Sequence, residues 1–328
     1  MNRRAARRSQ QGYVLIMVLG ALALIALVAT RFAQRIDELR RQTGTLYSHA
    51  QQRLQTGNAL AATLYVASTR PLGPGGLGPI LEPTVYADDR LYRLPDGGVA
   101  QVQDQRGLMP LPAVDRQRLA AVLQSLGVPQ TQTDAWIDVL LDYQDTDNLK
   151  RLNGAEADEY SALGLPPPRN DWLVSVRELN RLPYWKDRPA VVEAVERVAS
   201  TGRQPVLNPN TAPIELLAAY LPAALPQQWE LFDTLRRRAP FTSGGAAQRA
   251  TGLPLEREDF VFHLGPQLRI TVSASGATRA LQYNVTLVPG GSDAPWLISE
   301  AHPVVHRTRD TPDRATPFPL AVPAAPTP

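Results

Sequence analysis

The sequence contains no cysteine, and this absence removes several classes of protein from consideration. Without thiols the chain cannot form a disulfide framework, a cysteine-ligated zinc or iron–sulfur centre, or a thiol nucleophile. Histidine is also scarce, with four scattered residues, and no H-E-x-x-H, G-x-S-x-G or P-loop pattern occurs. Most hydrolase and nucleotide-binding functions are therefore disfavoured, and we expect the protein not to be an enzyme.

Lysine is nearly absent too, since Lys150 and Lys186 are the only lysines among 34 basic residues. The formal net charge is +3, but four arginines lie within residues 1–8. Removal of that segment would change the net charge from +3 to −1. The positive charge is therefore concentrated at the amino terminus and does not by itself indicate nucleic-acid binding.

Residues 13–30 form an uncharged run of 18 residues, which as a helix would be about 27 Å long and could cross one bilayer core. Apolar residues then recur at three- and four-residue steps to about Thr69, and Pro71 ends the pattern. This predicts one long helix whose second half is amphipathic. A cleaved signal peptide, which does not need that continuation, stays open as an alternative. A plain single-pass anchor also stays open, because hydropathy alone does not reject it.

The amino-terminal segment also resembles the class III signal of type IV pilins and pseudopilins. A short basic leader ends at Gly12, and Tyr13 begins the apolar run. The resemblance implies that a prepilin peptidase cleaves between Gly12 and Tyr13 and methylates Tyr13. Most pilins carry a glutamate at the fifth mature position, where this chain has Met17. A major fibre subunit is therefore disfavoured, because the buried ion pair made by that glutamate cannot form.

The rest of the chain predicts a sheet that a helical region interrupts. Residues 91–102 contain a Pro-Asp-Gly-Gly turn between two short apolar runs, which is typical of a β-hairpin. The apolar pattern is helical from 113 to about 200 and again at 211–220, and it alternates at 268–274 and 281–287. Strands, then helices, then strands indicate an α+β fold with an inserted helical domain.

An acidic segment within the helical region has the spacing of a cation-binding loop. Four oxygen-bearing side chains occupy relative positions 1, 3, 9 and 12, namely Asp145, Asp147, Asn153 and Glu156. Oxygen ligands of this kind suit a hard cation such as calcium. The loop is not an EF-hand, because Lys150 stands where the turn glycine is required. A solvated acidic loop, with Asp158 and Glu159 favouring the start of the next helix, is the alternative.

Several short motifs in this region are similar to the signature of the K-type minor pseudopilins of type II secretion systems. They are L-x-D-Y-x-D-x-D at 140–147, N-G-A-E at 153–156, P-R-N at 168–170 and S-V-x-E-L at 175–179. The resemblance implies a calcium site in an inserted domain. The implied ligands are Asp145, Asp147, Glu156 and Asn170, with Asp142 and Asp158 as further candidates.

The same resemblance implies a type IV pilin-like α+β fold, in which a long N-terminal helix packs on a small antiparallel sheet. A large inserted all-α domain of sterile-alpha-motif-like units interrupts that sheet. The expected segments are the leader (1–12), the transmembrane half (13–30) and amphipathic half (31–70) of the helix, the first part of the sheet (71–106), the inserted domain (107–250), the remaining strands (251–300) and a Pro-rich disordered tail (301–328).

The implied function is that of a minor pseudopilin. Such a subunit would cap the pseudopilus tip with the I- and J-type minor pseudopilins and control fibre assembly and length during the export of folded proteins. Other pseudopilins, the prepilin peptidase and the inner membrane are the remaining expected partners, and no nucleic acid is expected. We expect a single-pass inner-membrane protein with a cytoplasmic amino terminus and a periplasmic C-terminal domain.

A membrane-anchored DNA-binding or DNA-uptake protein is the alternative function. Residues 208–212 read N-P-N-T-A, which opens helix-hairpin-helix units, and residues 236–238 are all arginine. The glycine-rich hairpin that should follow is missing, because residues 220–226 contain two prolines that remove amide donors. A third possibility, acid–base chemistry by Asp142 and Asp145, lacks a nucleophile and an oxyanion donor.

Overall fold

The computed structural model describes residues 10–78, 84–305 and 315–319. Residues 1–9 of the expected leader lie outside the described residues. The chain divides into two compact units, Met1–Leu54 and Gln55–Pro328. Helix α1 (Gln10–Thr69) supplies the described part of the first unit and the start of the second.

In the first unit, the side chains of residues 13–30 are exposed. By length and composition, α1 is long and apolar enough to cross a membrane once. The apolar residues of the amphipathic part are also exposed up to Leu54, as at Phe32 and Leu46, except that Ile36 is half-buried. Both Gly12 and Tyr13 lie within α1.

The second unit holds the strands, most of which form one six-stranded sheet in the order β10-β3-β4-β7-β8-β9. The strands are β1 (Gly76–Leu77), β2 (Val85–Tyr86), β3 (Asp88–Arg93), β4 (Val99–Asp104), β5 (Met109–Pro110), β6 (Ala199–Ser200), β7 (Gln267–Ser273), β8 (Arg279–Leu287), β9 (Trp296–Val305) and β10 (Thr316–Pro317). Within this sheet only the β10–β3 pair is parallel. The long N-terminal helix and this mainly antiparallel sheet agree with the expected α+β class.

Both predicted strand pairs are confirmed. The hairpin pairs Leu91 with Gln101, and the later pair places Ile270 opposite Tyr283. Strands β4 and β7 are adjacent and antiparallel, with Val102 opposite Ile270, although more than 160 residues separate these two positions in sequence. The helical region therefore enters between two neighbouring strands of one sheet.

The last turns of α1 pack with this sheet through small and branched side chains. Ala59, Leu64 and Val66 are buried in the same apolar cluster as Val102 and Ile270. The small side chain at position 59 lets the β3–β4 turn come close to the helix: a Cβ on Gly98 would lie 2.8 Å from the carbonyl oxygen of Gln55. This close approach explains the glycine in that turn.

Seven α-helices lie between β4 and β7 and share a second apolar core. In chain order they are α2 (Arg116–Ser125), α3 (Gln130–Gln144), α4 (Ala157–Ala162), α5 (Pro189–Val198), α6 (Ile214–Tyr220), α7 (Pro226–Arg238) and α8 (Gly244–Thr251). Trp136 and Trp185 mark its centre, with ring centroids 4.9 Å apart and a hydrogen bond of 3.0 Å from the Trp185 indole to the Trp136 carbonyl. The sterile-alpha-motif-like character of this region stays a prediction.

Two local predictions need correction. Within the segment predicted to be helical from 113 to about 200, residues 176–181 form a short 3-10 helix, Val176–Arg181, and not an α-helix, and Ser175 and Glu178 cap its start. The helix expected from Thr211 begins at Ile214. It starts later because the amide of Thr211 donates to the carbonyl of Asn208 in a turn, and Pro213 then occupies the N-cap position just before the helix.

The disordered tail predicted for 301–328 is wrong in two places. Residues 301–305 complete β9, where Pro303 pairs with Leu281. Residues 316–317 form β10 against β3, and Phe318 is 5% exposed beside Tyr92. These strands tolerate their prolines because β9 and β10 are the two edge strands, where a missing amide donor is acceptable. Residues 306–314 and 320–328, including His306, lie outside the described residues.

Candidate metal centre in the helical insertion

The acidic loop connects α3 to α4 and begins where α3 ends. Asp145 is the first residue after the helix, in extended conformation, and Glu156 is the last residue before α4. The loop folds back so that carboxylate oxygens of Asp145, Asp147 and Glu156 all lie within 4.8 Å of one another. Three of the four predicted principal ligands therefore meet at one point.

Several oxygens of these carboxylates and of the predicted ligand Asn170 are buried without a hydrogen-bond donor. They are Oδ1 of Asp145, both carboxylate oxygens of Glu156, and Oδ1 of Asn170. Glu156 is 6% exposed, so water cannot readily solvate its carboxylate. Because buried acceptors without donors are costly, a bound cation that these oxygens coordinate would remove an unfavourable feature of the fold.

The electrostatics of Glu156 point the same way. Burial, followed by repulsion from Asp142, Asp145 and Asp147, raises the pKa of Glu156 to about 7. A carboxyl that resists ionisation among other carboxylates is one that a divalent cation would stabilise in its charged form. The site therefore has the charge, the oxygen ligands and the unmet hydrogen-bonding capacity that calcium requires.

Asn170 joins this group from a separate loop. Its backbone is left-handed, with φ of 50°, a conformation that asparagine tolerates better than most residues. Its amide nitrogen donates to the carbonyl of Tyr143 (3.1 Å), and its side-chain nitrogen donates to the carbonyl of Asp147 (3.3 Å). The predicted ligand is thus tied to the acidic loop, with its Oδ1 still unpaired.

Asp142 lies beside the group rather than within it. Its side chain is fully buried, and its Oδ1 accepts a hydrogen bond of 2.5 Å from Nη1 of Arg151. The same nitrogen donates to Oδ2 of Asp145 at 2.5 Å. A Cβ on Gly154 would lie 1.7 Å from Oδ2 of Asp142, so glycine is required there. Sequence reasoning missed Arg151, whose only signal was a basic residue inside an acidic loop.

Two other predicted residues lie outside the group. Asn153, counted by spacing as a possible ligand, donates through its side chain to Oδ2 of Asp138 at 3.2 Å. The spacing was misleading because the loop turns at Gly154 and directs Asn153 toward α3. Asp158 is exposed on α4 and is not among the three clustered carboxylates.

Comparisons with known proteins agree with the motifs. Residues 99–200 match the family model described as type II secretion system protein K. In fold, the chain is similar to a chain in the crystal structure of the GspK-GspI-GspJ complex from the type 2 secretion system of enterotoxigenic Escherichia coli. The TM-score is 0.50 at 16% identity, over 83% of this chain and 100% of that one. No curated protein sequence gives a significant match.

The resemblance to the K-type minor pseudopilins is confirmed. The candidate ligands, from Asp142 to Asn170, all fall within the matched residues 99–200. The matched segment also contains β4 and the first helices of the insertion.

The motif that suggested DNA binding has a structural role in this chain. Asn208 and Thr211 are buried and donate to Oδ2 of Asp104 at 3.0 and 3.2 Å. In the arginine run, Arg236 donates to the carbonyls of Pro209 and Ala212, both at 2.7 Å. Asn208 and Thr211 therefore join the insertion to the end of β4, and Arg236 ties α7 to the same loop. No observation on the described residues favours the DNA-binding alternative.

Proposed function

We propose that this K-type minor pseudopilin caps the tip of the pseudopilus of a type II secretion system, together with I- and J-type minor pseudopilins. The observation that carries the proposal is the match of residues 99–200 to the protein K family, on a chain whose fold resembles a member of a GspK-GspI-GspJ complex. As a tip subunit it would control assembly and length of the fibre while folded proteins are exported. We expect no catalytic activity.

Two features support a position at the tip. The helices between β4 and β7 form a second core that adds bulk beside the sheet, which makes stacking of identical copies along a fibre difficult. Met17 provides no carboxylate at the fifth mature position. A tip subunit has no earlier neighbour whose terminal ammonium such a carboxylate would meet, so its absence costs nothing there.

The proposed location follows from α1. Prepilin peptidase would cleave between Gly12 and Tyr13 and methylate Tyr13, leaving residues 13–30 in the inner membrane and the C-terminal domain in the periplasm. Intact mass of the protein extracted from membranes tests this step. A methylated amino terminus at Tyr13 is expected, and cleavage near Ala29 or an intact leader would contradict it.

The test of the tip position uses the full-length chain, tagged and expressed with its own secretion genes. Immunogold labelling should mark one end of each pseudopilus, and removal of the gene should change fibre length. Crosslinking should recover I- and J-type subunits in preference to major subunits. Label distributed along the fibre, or crosslinks mainly to major subunits, would contradict a capping role.

We also propose that the acidic loop binds calcium through Asp145, Asp147, Glu156 and Asn170, with Asp142 in support. A chelator should then lower the melting temperature of the periplasmic part of the full-length protein. At a calcium concentration 100 times Kd, binding contributes about 2.7 kcal/mol, which corresponds to several degrees for a domain of this size.

The double substitution Asp145→Ala plus Asp147→Ala should abolish the response to chelator. Asp158→Ala is the matched control, because it removes an acidic residue of the same segment that lies outside the cluster. The control should keep the full response. If the unsubstituted protein melts at the same temperature with and without chelator, the site does not bind calcium.

A further inference from the structure

Arg151 lies where it would oppose a bound cation. Its Nη1 atom bridges two carboxylates, at 2.5 Å from Oδ1 of Asp142 and 2.5 Å from Oδ2 of Asp145. Asp145 is one of the three carboxylates that converge, and Asp142 contributes to the negative charge around Glu156. The guanidinium therefore neutralises part of the same charge that a calcium ion would neutralise.

The geometry of Arg151 allows it to leave this position without unfolding the loop. Its side chain is 36% exposed, whereas the side chain of Asp142 is 0% exposed. Its backbone amide separately donates to Oδ2 of Asp142 at 3.2 Å, so the main chain stays anchored if the side chain moves to solvent. Asp142 would then keep one hydrogen bond and gain the attraction of the nearby cation.

We infer that Arg151 is a built-in counter-ion that competes with the cation for the carboxylates and thereby sets the affinity of the site. This inference rests on the proposed calcium site and assigns a regulatory residue to it. In the cation-free protein, the guanidinium limits repulsion among the carboxylates. When a divalent cation binds, it displaces the guanidinium from Asp145, and the work of breaking that ion pair weakens the observed binding.

The inference predicts that loss of the guanidinium destabilises the calcium-free protein and strengthens calcium binding. In chelator, Arg151→Gln should lower the melting temperature, because the carboxylates lose their counter-ion. With calcium, the same variant should bind more tightly, with Kd lower by roughly tenfold, the equivalent of one buried charge-assisted hydrogen bond. Arg151→Lys keeps the positive charge and should have an affinity closer to that of the unsubstituted protein.

The matched control is Lys150→Gln, which removes the same charge one residue away. The Lys150 ammonium pairs with Glu159 at 2.5 Å rather than with the clustered carboxylates. Its effect on calcium affinity should therefore be smaller than that of Arg151→Gln, less than about threefold. This comparison separates displacement of a specific ion pair from a general change in local charge.

The experiment is calcium titration calorimetry on the full-length protein in detergent, combined with melting temperatures in chelator and in calcium. If the unsubstituted protein binds no calcium, the proposed metal site fails. If it binds calcium but Arg151→Gln binds with equal or lower affinity, the site stands and the counter-ion inference is wrong. Equal changes in Arg151→Gln and Lys150→Gln would also overturn it.

Discussion

The docking of the C-terminal segment at the edge of the sheet depends on one aromatic ring. Phe318 is 5% exposed and meets Tyr92 edge to face, with ring centroids 5.7 Å apart. Its amide donates to the carbonyl of Arg93 at 2.8 Å, and the guanidinium of Arg70 donates to the carbonyl of Pro319 at 2.9 Å. We predict that Phe318→Ala releases the whole segment 315–319.

The free-energy contributions to docking decide whether Phe318→Ala releases the segment or leaves it docked beside a cavity. A buried phenylalanine covers roughly 150–250 Å², which at about 25 cal/mol per Å² stabilises the segment by ~4–6 kcal/mol. Ordering five residues costs ~5–10 kcal/mol, reduced by the fixed φ of Pro317 and Pro319. Two hydrogen bonds return ~1–3 kcal/mol. The free energy of docking is therefore close to zero. Loss of the ring makes docking unfavourable, so the segment is released and does not stay docked beside a cavity.

Hydrogen–deuterium exchange of the full-length protein measures this directly. In Phe318→Ala, the three amides of this segment, at Ala315, Thr316 and position 318, should exchange at the rate of an unfolded peptide, and those of β3 should lose protection. The melting temperature should fall by only a few degrees, because the loss cannot exceed the free energy of docking. Thr316→Ala, an exposed position in the same segment, is the control and should keep protection. Equal protection in the two variants would refute the argument.

Three further predictions concern one buried carboxyl and two glycines. Burial raises the pKa of Asp104 to about 6, so its stabilising contribution is present below about pH 4 and is lost as the pH rises through 6. Asp104→Asn removes this pH dependence. In denaturant titrations, the free energy of unfolding of the variant, relative to that of the unsubstituted protein, should therefore rise by up to ~3 kcal/mol between pH 4 and pH 7. Gly154→Ala should lower the melting temperature and the calcium response, because its methyl group would overlap Asp142. Gly57→Ala, with open space around it in α1, should instead stabilise by ~0.5–1 kcal/mol.

Local sequence patterns predicted the strand pairs whose members are close in sequence. They did not predict the strands whose formation depends on long-range contacts. The β3–β4 hairpin and the β7–β8 pair follow from alternation and turn residues that lie next to each other in sequence. Strands β9 and β10 were missed because their prolines argue against regular structure. They form because each lies on an outer edge of the sheet, which no single stretch of sequence reveals.

The candidate site was predicted in composition but not in arrangement. Oxygen-bearing residue types and their spacing found Asp145, Asp147 and Glu156, whose carboxylates converge. Spacing alone also selected Asn153, which the turn at Gly154 directs to a different carboxylate. A ligand list read from a loop is reliable only where the path of the backbone is known.

Asp104 shows how the insertion and the sheet depend on each other. It ends β4, and its carboxylate accepts hydrogen bonds from the amides of Arg106 and Gly265, at 3.0 and 3.2 Å, and from the side chains of Asn208 and Thr211. One buried acceptor thus joins both ends of the helical insertion to the strand from which it departs. Because removing a buried acceptor leaves several donors unpaired, the two cores cannot readily separate. Cation binding at the acidic loop would therefore stabilise a body that includes the sheet, so the melting temperature of the whole second unit is a suitable readout for the calcium experiments.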